Sequence, residues 1–330
     1  MTLRYNVAGV GNAIVDVQSL ETDEFLEQFG LVKGSMQLID NDRAEALYAA
    51  MSDTTEAAGG SAGNTMAGIA SFGGAASFIG KVRDDRLGEA FAADMAEVGV
   101  DFAVAPATDG PGSGRSMIVV TEDAERTMNT SLGAATTLYP ADIDEAMVAD
   151  SQVLYCEGYI WDIDITKEAI RVAIKAAQGA GNKVSFTLSD GFCVERHHAE
   201  WIGLVDNDID ILFGNADELR VLTGLDDFNA GVEAVRGRCE VACLTRGAEG
   251  SLIITADETI EIPAYETDVV DTTGAGDQYA AGFLFGYTTG LGLETAGRLG
   301  SLAASEVISH LGARPLVSLA ELARDHGLLD

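Results

Sequence analysis

The strongest constraint on this chain is a rhythm: short apolar runs with no polar face, separated by segments of helical period. Tyr5–Val10, Ala76–Gly80, Val153–Cys156, Lys183–Leu188, Ile209–Phe213 and Val241–Thr245 read as strands. Segments 60–73, 85–98, 166–179, 194–205, 226–237, 277–289 and 291–309 have the length and Ala/Leu/Glu content of helices. A strand that is apolar on both faces must be covered on both sides, and parallel neighbours need crossovers long enough to hold a helix. The pattern therefore predicts an α/β fold with a doubly wound, mostly parallel sheet flanked by helices.

Two stretches interrupt the rhythm. Residues 14–40 and 101–131 carry strand-like runs (Ile14–Val17, Met36–Ile39, Phe102–Ala105, Ser116–Thr121, Thr127–Thr130) without long helices between them. They read as a small β lid inserted into the core and lying over the carboxyl ends of its strands. With 5 prolines, no internal repeat and no low-complexity linker, the expectation is one domain spanning 1–330.

Charge narrows the partners. Against 20 Lys+Arg stand 53 Asp+Glu, a net charge of −33 with no basic run, so a nucleic acid polymer or an anionic membrane surface would be repelled. The acidity itself reads as a solvating surface. Four cysteines (Cys156, Cys193, Cys239, Cys243) form no C-x-x-C pair and are too few for a disulfide framework. Cys239 and Cys243 would lie on one face of a strand as small core residues. His197, His198, His310 and His326 lack metal-ligand spacing, which argues against zinc. With no leader ahead of the first strand and no membrane-length apolar run, the expected compartment is the cytoplasm.

Glycine marks where chemistry is to be sought, at 38 residues against the ~7% of an average chain. Two clusters are discarded. Gly9-Val-Gly11-Asn-Ala-Ile14 lacks the third glycine of a dinucleotide fingerprint, and Gly80-Lys81 has Val82 and Ala75 where a phosphate loop needs Ser/Thr and glycine. The third cluster, Asp271-Thr-Thr-Gly274-Ala275-Gly276-Asp277, opens an apolar helix. Free amides of Gly274, Ala275 and Gly276 at the positive end of that helix would suit a phosphoryl oxygen. Asp277 is then either a helix cap or a base beside an anion hole, and the two glycines ahead of it favour the base. Phosphoryl transfer to a hydroxyl needs that pairing.

Asp271–Asp277 with Gln278-Tyr-Ala-Ala-Gly-Phe-Leu-Phe-Gly286 resembles the C-terminal signature of the ribokinase or PfkB carbohydrate kinases. Gly59-Gly60-Ser-Ala-Gly63-Asn64-Thr-Met-Ala-Gly68, continuing through Gly74 to Gly88, is similar to that family's N-terminal segment, so the likeness spans nearly the whole chain.

The resemblance implies a ribokinase-like fold with a small β lid, and roles for further residues. Asn12, Asp16, Gly60, Ser61 and Asn64 would bind the substrate's hydroxyls. Asn215-Ala-Asp-Glu218 would place hydrated Mg2+ through Glu218, where the plain alternative is a capping box. Thr245, Gly247 and Gly250 would form a nucleotide loop for ATP, the alternative being a tight hairpin turn. Arg126 would reach the transferring phosphate, or is a surface arginine. A monovalent cation near Asp271 is a further implied cofactor.

Ser61-Ala62 stands where ribokinase-like sequences carry a lysine, and with Gly11-Asn12-Ala13 and Arg126-Thr127-Met128 it leans toward adenosine-kinase-like members. The reading is an ATP-dependent kinase acting on a primary hydroxyl of a ribonucleoside, adenosine first. The runner-up is a sugar kinase for ribose or fructose, and the third reading is a non-catalytic sugar- or nucleoside-binding regulator. Tyr159 is the candidate base-pocket aromatic, against a default as a core residue. The assembly is expected to be a monomer or homodimer.

Overall fold

A computed structural model describes residues 3–123 and 125–330; Met1, Thr2 and Ala124, the last inside the 101–131 stretch, lie outside the described residues. In chain order the strands are β1 (Tyr5–Val10), β2 (Ile14–Leu20), β3 (Met36–Leu38), β4 (Thr55–Gly59), β5 (Ala76–Ile79), β6 (Val100–Phe102) and β7 (Gly114–Val120). There follow β8 (Arg126–Ser131), β9 (Ser151–Glu157), β10 (Lys183–Thr187), β11 (Ile211–Asn215), β12 (Val241–Thr245), β13 (Ser251–Ile254) and β14 (Thr259–Ile262).

A 9-stranded sheet runs in the order β14-β13-β12-β11-β10-β9-β1-β5-β6. Every pairing from β12 to β6 is parallel, and at one edge β13 pairs antiparallel with both β12 and β14, so β13 alone runs against the other strands. Alternate residues of each strand enter opposite cores. Val7, Val153, Tyr155, Phe213 and Cys243 pack with Tyr279 and Phe283 on one side. Val10, Leu154, Phe186, Leu212 and Leu244 pack with Trp161, Ile170 and Trp201 on the other. Each such side chain contributes roughly 1.5–3 kcal/mol when fully buried. Helix Asp164–Ala180 shows the matching pattern, burying Ala169, Ile170, Ala173, Ile174 and Ala177 along one stripe and ending at Gly181. The ribokinase-like α/β fold is thus present as expected.

Parallel register decides where function gathers. Val10 pairs with Cys156, Glu157 with Thr187, Thr187 with Phe213 and Asn215 with Thr245. The residues leaving these strands therefore meet along one rim, at the carboxyl ends.

A second, 5-stranded sheet has the order β3-β8-β7-β2-β4. One face, with Val15, Val17, Ala58, Met117 and Val119, packs on Leu26, Ala44 and Leu47 of helices Asp23–Phe29 and Asn41–Ala50. The other face, carrying Ile14, Asp16, Ser116, Ile118, Met128 and Thr130, lines a cavity above the rim. Of the run expected at Phe102–Ala105 as part of this element, only Phe102 is in a strand: it ends β6, which pairs with β5 at the edge of the large sheet, and 103–105 is irregular. Conversely β4 joins the small sheet through β2, although Thr-Glu-Ala-Ala-Gly carries little apolar signal. The helix expected at 194–205 is two, Gly191–Arg196 and His198–Asn207, broken at His197. Among the described residues no helix is long and apolar enough to cross a membrane.

Candidate active site

Two helices aim their N-termini at the rim, and neither is capped by a side chain. Helix Ser61–Ser71 starts at Gly60, whose φ of 84° suits glycine, and a Cβ there would lie 2.2 Å from the Asn12 carbonyl oxygen. Helix Ala275–Thr288 starts at Gly274. Asp277 is therefore inside its helix rather than at the cap position, and its carboxylate turns outward to the other helix. Ser61 Oγ donates to Asp277 Oδ1 at 2.6 Å, and Asn64 Nδ2 donates to Oδ2 at 3.1 Å. The capping alternative for Asp277 is excluded by this geometry. Burial pushes its carboxyl up to about 6, with the Ser61 and Asn64 donors pulling the other way.

Of the three amides expected to converge at this helix start, the Ala275 N–H is already bonded to Thr272 O at 3.2 Å, which removes it from the set. Among the described residues, the N–H groups of Gly274 and Gly276 meet no protein acceptor. They face the cavity at the positive end of the helix, a setting that favours an anion.

One side of the cavity rests on a group without a motif. Glu157, the last residue of β9 and 1% exposed, accepts from Asn12 N at 2.9 Å, Asn12 Nδ2 at 2.8 Å and Ala62 N at 2.8 Å. It locks the Asn12 side chain and the start of helix Ser61–Ser71 to the same point. Burial raises its carboxyl to about 7 against those three donors. Asp16, on the small sheet, has no protein donor on its carboxylate among the described residues, and loss of water raises it to about 6. A carboxylate exposed only to a cavity, with its lone pairs free, is suited to accept hydroxyl protons.

Asn215 and Glu218 form a complete capping box: Asn215 Oδ1 accepts from Glu218 N at 2.9 Å and Glu218 Oε2 accepts from Asn215 N at 2.9 Å. Glu218 nevertheless lines the cavity, and burial lifts it to about 7. Thr245 to Ser251 is the turn of the β12–β13 hairpin, and Gly247 and Gly250 line a second cavity of about 820 Å3. The first cavity has a similar volume of about 820 Å3, and Thr245, Thr272, Ala275, Gly276 and Tyr279 border both. The two chambers thus meet at the start of the Asp277 helix.

Arg126 is placed differently from either reading of the sequence. It is neither on the open surface nor in the cavity wall: its side chain is 9% exposed, and its guanidinium is paired with Asp271 and 3.3 Å from Thr273 Oγ1. Asp271 also accepts from Thr273 N and Oγ1 and from Gly312 N. Although burial opposes ionisation of Asp271, these donors and the Arg126 charge hold its carboxyl below the usual range.

Tyr159 does line the cavity, with its hydroxyl donating to Ser189 O at 3.1 Å. Phe192, unremarked in the sequence, stands 71% exposed on the same wall. The four cysteines are free. Among the described residues no group of three His, Cys, Asp or Glu side chains is arranged for a metal.

An uncapped, glycine-bordered helix start with a buried carboxylate beside it, set between two chambers, is an arrangement for moving an anionic group from one bound molecule to another. The profile of the pfkB family carbohydrate kinases matches residues 24–319. The chain belongs to that family. As a pfkB kinase it is a phosphotransferase with an alcohol acceptor. It is 30% identical over 323 residues to a Lacticaseibacillus casei protein described as 5-dehydro-2-deoxygluconokinase, covering 95% of this chain and 92% of that one. A solved adenosine kinase from Sinorhizobium meliloti superposes with a TM-score of 0.91 at 49% identity, covering 98% and 99%. A probable sugar kinase from Rhizobium etli CFN 42 superposes with a TM-score of 0.92 at 45% identity, covering 99% and 100%. In this pfkB kinase the family match begins at residue 24, so Asn12 and Asp16 precede it, yet β1 and β2 carry both to the shared rim.

Proposed function

We propose that this kinase transfers the γ-phosphoryl group of ATP to a primary hydroxyl of a ribonucleoside, with adenosine first among them. The observation that carries the reading is the apolar half of the acceptor cavity. Met36, Leu38, Ile118 and Met128 of the small sheet face the chamber, with Phe192 on the opposite side. Met36 and Leu38 are 45% and 59% exposed, so this surface has no protein partner of its own. A free sugar presents hydroxyls all round, whereas a nucleoside pairs a hydroxylated ribose with a flat apolar base. The 49% identity to a protein described as an adenosine kinase points the same way.

The second reading, a sugar kinase, has the Lacticaseibacillus casei relative in its favour. A gluconate-type substrate brings a carboxylate, however, and the guanidinium on the cavity wall, Arg196, is already paired with Asp162. Among the described residues that half-exposed, already paired arginine is the one cation lining the cavity, which makes it a weak anchor for such an anion.

In the proposed reaction Asp16 and Asn12 hold two ribose hydroxyls, while Asp277 orients the third and accepts its proton as the oxygen attacks the γ-phosphorus. The β–γ bridging oxygen leaves on ADP. The Gly274 and Gly276 amides receive the charge on the transferring oxygens, and the Thr245–Gly250 turn borders the nucleotide chamber. Glu218 fits a hydrated Mg2+: each of its oxygens keeps a lone pair beyond its bond to Asn215, and magnesium favours one or two carboxylates with water and phosphate. When bound there, the ion would neutralise phosphate charge. A monovalent cation fits poorly at Asp271, whose oxygens already receive Arg126, Thr273 and Gly312, and no step is assigned to one.

The test is a substrate panel with ATP and magnesium, reading ADP release. Adenosine is expected to exceed ribose, fructose and 5-dehydro-2-deoxygluconate by ~100-fold or more in kcat/KM, the discrimination an unmatched binding surface can supply. Turnover of a free sugar with none of adenosine would overturn the nucleoside reading and leave the kinase.

A further inference from the structure

Arg314 lies in the connection between helices Leu293–Val307 and Leu319–Asp325, outside every motif of the sequence. Its side chain is only 15% exposed, and it points under the acceptor site. Nε donates to Asn64 Oδ1 at 3.3 Å, Nη1 lies 3.4 Å from Asp94 Oδ2, and Nη2 lies 3.3 Å from Met95 Sδ. Asn64 in turn donates from Nδ2 to Asp277.

The chemistry of the three groups leaves one orientation for the amide between them. A guanidinium only donates and an ionised carboxylate only accepts, so the amide oxygen must face Arg314 and the NH2 must face Asp277. A half-turn of the amide would set N–H against guanidinium and oxygen against carboxylate, making both contacts repulsive. The frame around this relay is tied at its other end as well: Gln278 Nε2 donates to Asn64 O at 3.0 Å and to Ala313 O at 3.1 Å. The residue before Arg314 and the residue after Asp277 are thereby joined to the Asn64 backbone.

We propose that Arg314 is a positioning residue for phosphoryl transfer, acting through the Asn64 amide to hold the Asp277 carboxylate in its working orientation. The inference rests on Asp277 being the base. It gives the relay Asp94–Arg314–Asn64–Asp277, in which Arg314 touches neither substrate nor transferred group. Its charge also acts on Asp16, so its loss is expected chiefly in the chemical step, with a smaller weakening of substrate affinity.

The experiment is a double-mutant cycle of Arg314→Met with Asn64→Ala, read as kcat and KM separately, with Asp277→Asn assayed alongside. Arg314→Met is expected to lower kcat by about 10–100-fold, the scale of a small misplacement of a catalytic group, with KM within ~3-fold. In the Asn64→Ala background it should cost less than ~2-fold, because the group it acts through is gone. Arg314→Lys, whose ammonium can reach both Asn64 and Asp94, should restore most of the rate. If Arg314→Met does not fold, Arg314→Leu, which carries no donor for Asn64 Oδ1, takes its place in the cycle. Wild-type kcat in the single variant, or full additivity with Asn64→Ala, overturns the proposal. If Asp277→Asn alone retains wild-type kcat, the base assignment fails first and takes this inference with it.

Discussion

The two glycines ahead of Asp277 should fail in opposite ways when each is replaced by alanine. Gly274 sits at φ 78°, and a Cβ there would approach Ala313 Cα to 2.7 Å and its carbonyl oxygen to 2.7 Å. Ala313 cannot easily withdraw, since Gln278 Nε2 holds its carbonyl at 3.1 Å. The left-handed conformation costs alanine about 1–2 kcal/mol, and the overlap adds about 1–3 kcal/mol. Gly274→Ala should therefore lose roughly 2–5 kcal/mol of stability, a Tm lower by about 3–7 °C. Gly276, two residues later, has nothing within 4 Å of its would-be Cβ and lies in ordinary helix. There alanine should be neutral or gain about 0.5–1 kcal/mol. Its methyl, however, enters the space where the two chambers meet, so kcat/KM for ATP should fall by about 10–100-fold. Thermal unfolding and steady-state kinetics on both variants separate these effects. Gly274→Ala with wild-type Tm would refute the backbone argument, and Gly276→Ala with wild-type kcat/KM would refute the assignment of that space to phosphate.

Two further outcomes follow from the same geometry. Asp277 and Asp16 are both raised to about 6 by burial, and both are needed as carboxylates. Glu218, proposed to hold hydrated Mg2+ as a carboxylate, is raised to about 7, so in the proposed reaction activity should be full above about 7 and fall as pH drops through 7 to 6; a kcat/KM profile flat down to pH 5 would contradict it. The small sheet carries Asp16 above the rim, and Arg126 ties β8 to Asp271. Nucleoside binding should therefore slow hydrogen exchange across 14–40 and 114–131, the stretches that belong to the small sheet, and unchanged protection there at saturating substrate would rule out closure of a lid.

The parts of this molecule that could be read in advance were those whose signal is local. Strands β1 and β12 match their expected bounds, because an apolar run enclosed on both faces has few other uses. Gly274 and Asp277 were legible because their spacing at a helix start is itself the device. Strand β4 was missed because Thr55–Gly59 is held by pairing to β2 rather than by its own apolar content. Glu157 was missed for a related reason: in sequence it is one more residue ending a strand, and its partners Asn12 and Ala62 are 145 and 95 residues away. Arg126 shows the limit from the other side. A lone arginine on a strand says nothing of which carboxylate it will find, and here the partner is Asp271 rather than solvent or the open cavity. Arg314 could be recognised only once the fold had set it beneath Asn64.

The central claim is that Asp277 is the base of the transfer, and Asp277→Asn tests it most directly. Asparagine keeps the size of the side chain and an oxygen for the Ser61 hydroxyl but cannot take a proton. Measured with ATP, magnesium and adenosine, kcat should fall by about 10²–10⁴-fold while both substrates still bind; Tm should drop only modestly, because the new NH2 faces that of Asn64. Turnover within a few-fold of wild type would contradict the account.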